Sequence, residues 1–140
     1  MRRFFILLSF WAVLTPAEAT VDEAITFALQ AIEPYVKQGY TVREDEWGGD
    51  LGVREQKAIP HTLFKGNDYW FCMGTDVDNA RLAIHVYDSK GKIADTDSWQ
   101  KGRFAGARVV PPATGTYYII VEVTNSPKER TTWAMVYGYK

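Results

Sequence analysis

The sequence RLAIHVYDSKGKIAD, residues 81–95, decides the fold class of this chain. Residues 81–87 alternate between a strongly apolar set and a mixed set, which is the period-two pattern of a half-buried strand. In the turn sequence that follows, Asp88 can accept hydrogen bonds from the backbone just ahead of it, and Gly91 tolerates a positive φ. Because Ile93 resumes the apolar pattern, the stretch predicts a β-hairpin.

A second stretch, GTYYIIVEVTN at 115–125, gives the strongest strand signal in the chain. We expect a central strand over 116–124, covered on both sides for part of its length. One face carries Tyr117, Ile119, Val121 and Val123, and the other carries Tyr118, Ile120, Glu122 and Thr124. Short apolar runs separated by turn residues fill the rest of the chain. The sequence therefore predicts a mainly β protein, an antiparallel jelly-roll-like β-sandwich of seven or eight strands with one N-terminal α-helix.

The other strands are predicted from shorter apolar or alternating runs. Pro60 lacks a backbone N–H, so any strand beside it is limited to a sheet edge. The acidic run 44–46 is typical of a solvated surface. Loops are expected at 47–52 and from 95 to 102, and strands at 40–43, 53–59, 61–64, 69–73, 103–110 and 131–139.

The N-terminus has the three parts of a secretory leader. Arg2 and Arg3 precede an apolar core at 4–14, which is shorter than the ~20 residues of a membrane span. Ala17-Glu18-Ala19 is a small-x-small cleavage site. We therefore expect cleavage after Ala19 and an exported protein, periplasmic or extracellular, with no membrane span after cleavage. The alternative is a retained N-terminal anchor.

A helix is predicted over 20–39, ahead of a sandwich domain over 40–140. Thr20 and Glu23 have the spacing of a capping box. Pro34 either ends the helix or kinks it, in which case Gly39 is a suitable stop. An apolar stripe at helical spacing either packs on the sandwich or docks on another chain; it consists of Val21, Ile25, Ala28, Leu29 and Ile32.

The charge argues against a nucleic-acid-binding protein, and the cysteine content argues against a domain held by internal disulfides. The 16 Lys and Arg nearly balance the 17 Asp and Glu, giving a net charge of −1. This is not the charge of a nucleic-acid-binding protein. Cys72 is the one cysteine, so no internal disulfide can form. It lies in the apolar run YWFCM, which predicts an inert buried thiol, although a reactive or intermolecular thiol is the alternative.

Three segments carry a resemblance to a known family: KGNDYWF at 65–71, LAIHVYDSKG at 82–91 and PPATGTYYIIV at 111–121. Over about 53–140 the chain resembles the bacterial pre-peptidase C-terminal domain. The resemblance implies a jelly-roll-like sandwich in an exported bacterial protein. In that family the domain usually follows a secreted hydrolase and has no catalytic residues of its own. It is thought to aid secretion, bind polymers or proteins, or keep its enzyme soluble. Without an attached hydrolase, such a role would act in trans.

Two aspartate-rich segments, DVDN at 76–79 and DTDS at 95–98, begin like calcium loops. Calcium requires six to eight oxygen ligands, and neither segment continues with the glycine and distal glutamate of an EF-hand. Aspartates in turns often bond only the turn itself. A structural calcium ion is therefore a candidate cofactor, with four candidate ligands: Asp76, Asp78, Asp95 and Asp97.

The sequence contains neither of the short motifs of common hydrolases, Gly-x-Ser-x-Gly or His-Glu-x-x-His, so no catalytic residue is predicted. On the strand at 81–87, His85 and Tyr87 point away from the apolar face. If that face is open, they could form an aromatic platform with Trp99 or Tyr118, although most aromatic residues in a small domain are core or rim. The candidate ligand-binding residues are Trp47, His85, Tyr87 and Trp99.

These observations favour a non-catalytic exported binding or accessory protein for an envelope polymer, a carbohydrate or a protein partner. One alternative is an inhibitor or stability partner that docks on a secreted enzyme through its helix. The other is an unrecognised calcium-dependent hydrolase. The exposure of Ile25, Leu29 and Ile32 tests the helix-docking alternative, because an exposed apolar stripe indicates a partner.

Overall fold

The computed structural model describes residues 16–140, which form one helix followed by eight strands. The helix α1 spans Pro16–Val36. The strands are β1 (Thr41–Leu51), β2 (Gln56–Leu63), β3 (Tyr69–Gly74), β4 (Arg81–Tyr87), β5 (Asp95–Lys101), β6 (Phe104–Val109), β7 (Gly115–Asn125) and β8 (Thr131–Tyr139). Within 16–140, no helix is long and apolar enough to cross a membrane.

The strands form two antiparallel sheets packed face to face, which confirms the predicted β-sandwich. A five-stranded sheet has the order β1-β8-β3-β6-β5, and a three-stranded sheet has the order β2-β7-β4. The predicted central strand, β7, lies in the middle of the smaller sheet. β2 contains Pro60 and lies at an edge, as expected for a strand with a missing N–H.

The core fills the space between the two sheets. The alternation predicted for β7 is present, since its residues at odd positions from Tyr117 to Val123 are all buried. They pack against inward-facing residues of the larger sheet, above all Phe71, Met73, Trp133 and Met135, each fully buried. A central strand of each sheet thus contributes its apolar face to one shared core.

The helix α1 lies on the outer face of the five-stranded sheet. Its buried residues are mostly small: Ala24, Ala28, Ala31 and Ile32. Gly74 on β3 allows the close approach, because a Cβ at that position would lie 2.7 Å from the backbone nitrogen of Ala28. Alanines on the helix and a glycine on the strand therefore set the distance between the two layers.

The helix bounds differ from the predicted 20–39. The described helix already includes Pro16, continues past Pro34, which is exposed, and ends at Val36. Gly39 follows with φ +101°, a conformation that suits glycine just after a helix. The predicted leader, residues 1–19, lies mostly outside the described residues.

The predicted hairpin at 81–95 is wrong in its second arm. The turn forms, with Asp88 Oδ1 accepting hydrogen bonds from the backbone N–H groups of Lys90 and Lys92, both at 2.9 Å. After a single bridge between Tyr87 and Ile93, however, the chain crosses to the other sheet. There β5 pairs with β6, whereas β4 pairs with β7.

Both predicted loops are strands. The segment 47–52 belongs mostly to β1, and its residues 47–51 pair with β8. The segment 95–102 contains β5, an edge strand. The predicted strands at 53–59 and 61–64 merge into the single strand β2. The second face of β7 is not covered, since Tyr118 is 37% exposed.

Candidate functional site: an open sheet face and a cleft beside the helix

The outer face of the three-stranded sheet carries two adjoining rows of apolar and aromatic side chains, here called the tyrosine face. One row runs across the sheet through Pro60, Tyr118 and Tyr87, which are cross-strand partners. The next row runs through Ala58, Ile120 and His85. Tyr87, Tyr118, Ala58 and Ile120 line a shallow depression of about 530 Å³. No described element packs over this face, so it is the bare side of the sandwich.

Charged groups at the border of the tyrosine face are held by local partners. Glu122 accepts a hydrogen bond from Gln56 at 2.9 Å and forms an ion pair with Arg54 at 3.3 Å. Asp88 lies at the end of β4, where bonds from the Lys92 and then the Lys90 backbone N–H lower the pKa of its carboxyl. The rows between these borders carry no acidic or permanently basic side chain.

A contact with Asp95 fixes the orientation of the His85 side chain. The two side chains approach at 3.4 Å between Nδ1 and Oδ2, and Asp95 Oδ1 accepts the Val86 backbone N–H at 2.9 Å. Asp95 therefore joins the start of β5 to β4 at the point where the chain changes sheets. This contact gives the imidazole a defined orientation at one corner of the tyrosine face.

A second concave surface lies between the C-terminal half of α1 and the β5–β6 hairpin; we call it the helix-edge cleft. It has a volume of about 780 Å³. Its apolar wall comprises Ala31, Pro34, Tyr35, Ala80, Trp99 and Phe104. Its polar wall comprises Gln30, Asn79, Arg81, Lys101, Arg103 and Asn125.

Aromatic contacts hold the wall of the helix-edge cleft in place. Trp99 Nε1 donates a hydrogen bond to Tyr35 Oη at 2.9 Å. Tyr35 stacks on Trp70 with 4.0 Å between ring centroids, and burial raises the pKa of the Tyr35 hydroxyl. Gly106 makes room for the indole, because a Cβ there would lie 2.5 Å from Trp99 Nε1.

A third, polar surface lies at the seam between the edge strands β1 and β2. His61 Nε2 is 3.1 Å from Tyr137 Oη, and the Trp47 ring meets the His61 ring edge-on at 5.4 Å. Burial lowers the pKa of His61, while Asp45 acts to raise it and Arg43 to lower it. Burial raises the pKa of Tyr137, because it disfavours the charged phenolate. Both groups are therefore held in their neutral forms near pH 7.

The four predicted ligand-binding residues lie on three different surfaces. His85 and Tyr87 share the tyrosine face with Tyr118, as the alternation along β4 predicted. Trp99 lies on the other sheet, in the helix-edge cleft. Trp47 points inward and packs against the core beside His61. The structure therefore brings together only two of the four.

The four candidate calcium ligands also separate into two places. Asp76 and Asp78 lie between β3 and β4, where Asp78 forms an ion pair with Arg103 and one carboxylate oxygen of Asp76 is buried. Asp95 and Asp97 lie on β5, with Asp95 bonded to β4. No cluster of three His, Cys, Asp or Glu side chains that could hold a metal occurs in the described part of the chain. Calcium binding stays a prediction.

Sequence reasoning did not identify Pro60, Ala58 and Ile120 as members of the tyrosine face. Ile120 was assigned to the outer face of β7, but that face was expected to be covered. Pro60 carried the one available signal, because a proline limits β2 to an edge. The cross-strand register that places it beside Tyr118 is a tertiary feature.

The described part of the chain is thus a two-sheet antiparallel sandwich in which a helix covers one sheet and no described element covers the other. No protein-family model matches the sequence, and no curated protein matches it. Among solved structures, the fold is similar to PliG of Aeromonas hydrophila, a periplasmic lysozyme inhibitor of g-type lysozyme. The TM-score is 0.50 at 15% identity, covering 74% of this chain and 90% of that one.

Two further solved structures are similar to this fold at lower TM-scores. PliG of Salmonella Typhimurium gives a TM-score of 0.42 at 11% identity, covering 68% of this chain and 89% of that one. The lipase BlEst2 of Bacillus licheniformis, in its propeptide form, gives 0.44 at 17% identity over 67% of this chain and 21% of that one. At these identities the likeness concerns the fold alone. The resemblance to the pre-peptidase C-terminal domain stays a prediction, since none of these proteins is described as containing one.

Proposed function

We propose that this protein is an exported, non-catalytic binding protein that docks on another protein through its tyrosine face, as an inhibitor of a cell-wall-degrading enzyme of the g-type lysozyme kind. The observation that carries the proposal is the difference between the two outer sheet faces. The helix α1 covers one, and no element within residues 16–140 covers the other, where Tyr87 and Tyr118 lie side by side.

The composition of the tyrosine face suits a protein partner. Tyrosine is enriched at protein–protein interfaces because it offers a large amphipathic contact area with few rotatable bonds. The charged groups lie at the border and leave the centre free of ions, which is the arrangement of an interface core with a polar rim. The fold shared with the Aeromonas inhibitor supports the choice of enzyme class.

The helix is the weaker docking surface. Ile32 is only 1% exposed and packs on the five-stranded sheet, and Ile25 is half-buried. Leu29 is 45% exposed and is the one member of the predicted stripe between Asp22 and Val36 that stays open to a partner. Between Asp22 and Val36, a partner docking on α1 would therefore meet Leu29 and the 44% exposed Val36, whereas the opposite sheet offers two continuous rows.

The experiment uses the purified wild type and two variants, Tyr118→Glu on the tyrosine face and Leu29→Glu on the helix. It measures inhibition of a g-type lysozyme on a cell-wall suspension and binding by calorimetry. We expect stoichiometric inhibition by the wild type. Tyr118→Glu should weaken binding at least tenfold, since a hot-spot tyrosine at the centre of an interface contributes about 2 kcal/mol or more. Both variants should keep the wild-type unfolding midpoint, because the altered side chains are exposed.

Leu29→Glu is the matched control on the helix and should leave binding unchanged. If Leu29→Glu abolishes binding and Tyr118→Glu does not, the docking surface is the helix and our assignment of the tyrosine face is wrong. If the wild type binds no g-type lysozyme, the proposed inhibitor function is refuted. Binding to a cell-wall polymer instead, with loss in Tyr118→Glu, would assign the face to a polysaccharide.

A further inference from the structure

The helix-edge cleft has the size and lining of a small-molecule site. Its volume of about 780 Å³ falls within the roughly 300–1,000 Å³ of ligand pockets, which are mostly apolar with a few polar groups. Trp99, Tyr35 and Phe104 supply the aromatic part of its wall. The bond from Trp99 to Tyr35 and the stacking of Tyr35 on Trp70 fix these rings before any ligand arrives.

The charged side chains that line the cleft are all basic. Arg81, Lys101 and Arg103 line it, and no carboxylate does. Arg103 is engaged, because it forms an ion pair with Asp78 and stacks over the Phe27 ring at 4.4 Å. Within the described residues, neither Arg81 nor Lys101 takes part in an ion pair. Two cations are therefore available at an aromatic wall.

This combination selects the chemistry of an occupant. An apolar group can displace water from the aromatic wall, and an acidic group can bond Arg81 or Lys101 without competition from a protein carboxylate. A neutral apolar molecule would use only the first feature, and an inorganic anion only the second. The polar wall of the cleft also carries the amide groups of Asn79 and Asn125.

We propose that the helix-edge cleft binds an organic anion with an apolar body, an aryl or acyl carboxylate or sulfonate. The apolar body packs on Trp99 and Phe104, and the acidic group bonds Arg81 and Lys101. The site is separate from the tyrosine face, because its residues come from α1, the β5–β6 hairpin and the ends of β4 and β7. The two proposals can therefore fail independently.

The test uses a matched pair of fluorescent probes on the purified protein. The anion is 8-anilinonaphthalene-1-sulfonate, and the neutral control is N-phenyl-1-naphthylamine, which has the same ring system without the sulfonate. We expect a single saturable site at which the sulfonate binds at least tenfold more tightly than the neutral probe. A native-state ligand must also raise the unfolding midpoint, which excludes binding to a partly unfolded form.

Two double variants locate the site. Arg81→Gln with Lys101→Gln should weaken sulfonate binding at least tenfold and leave binding of the neutral probe unchanged. Lys65→Gln with Lys128→Gln removes the same charge from exposed positions outside the cleft and should change neither. Equal losses in the two double variants, or equal affinity for the two probes, would overturn the proposal.

Discussion

The two outer faces of the sandwich differ in what their central strands present. On the five-stranded sheet, β3 presents Trp70, Cys72 and Gly74, and all three are buried beneath or beside α1. On the three-stranded sheet, β7 presents Tyr118 and Ile120, which remain partly exposed. A face with a glycine gap accepts a helix of alanines, whereas a face of large side chains in register stays flat and available. The covered face therefore stabilises the domain, whereas the bare face is the one that we propose as a docking surface.

The largest expected effect comes from closing the glycine gap with Gly74→Val. A side chain at this position meets the backbone of Phe27 and Ala28, which cannot move aside without shifting the helix. We expect a loss of about 3 kcal/mol or more in the free energy of unfolding, measured by urea denaturation.

Gly115→Val is the matched control on the smaller sheet. A Cβ at Gly115 meets no atom within 4 Å, so this variant should change the free energy of unfolding by less than about 0.5 kcal/mol. Equal losses in the two variants would show that α1 does not pack closely over Gly74.

A matched pair of isoleucines sharpens the comparison. Ile32 is fully buried between α1 and the larger sheet, and its replacement by alanine leaves a cavity. We expect Ile32→Ala to cost roughly 2–3 kcal/mol. Ile120→Ala on the tyrosine face should cost about 1 kcal/mol or less, because the side chain is only partly buried. If Ile120→Ala costs as much as Ile32→Ala, another segment covers the tyrosine face.

The sequence predicted the features that depend on local alternation and turn chemistry. The two faces of β7 and the orientation of His85 and Tyr87 on β4 follow from a period of two. The Asp88 turn also formed where its residues indicated. Local alternation did not predict which strands pair with each other. The pairing of β4 with β7, for example, joins segments that are distant in the chain.

The errors occurred where a tertiary contact overrides local composition. Residues 47–52 look like a loop because of their glycines, yet residues 47–51 pair with β8, with Gly49 opposite Trp133. Trp99 looked like part of a loop, but its strand pairs with β6 and Gly106 accommodates its ring. Gly106 thus marks a place where a large aromatic ring approaches the backbone of the strand.

The smallest expected effect is a pH dependence of folding stability that arises from His61, at the seam between the two sheets. Because burial lowers the pKa of His61 in the folded protein, the unfolded chain takes up a proton at about pH 6.5, before the folded protein does. Stability is therefore full above pH 6.5 and falls as the pH decreases toward the folded pKa. Carboxyls whose pKa values are lowered, such as Asp68, stabilise the folded protein throughout this range, and their contribution is lost only at more acidic pH. The urea midpoint of the wild type should drop more between pH 7.5 and 5.5 than that of His61→Gln, and parallel pH profiles would refute the assignment.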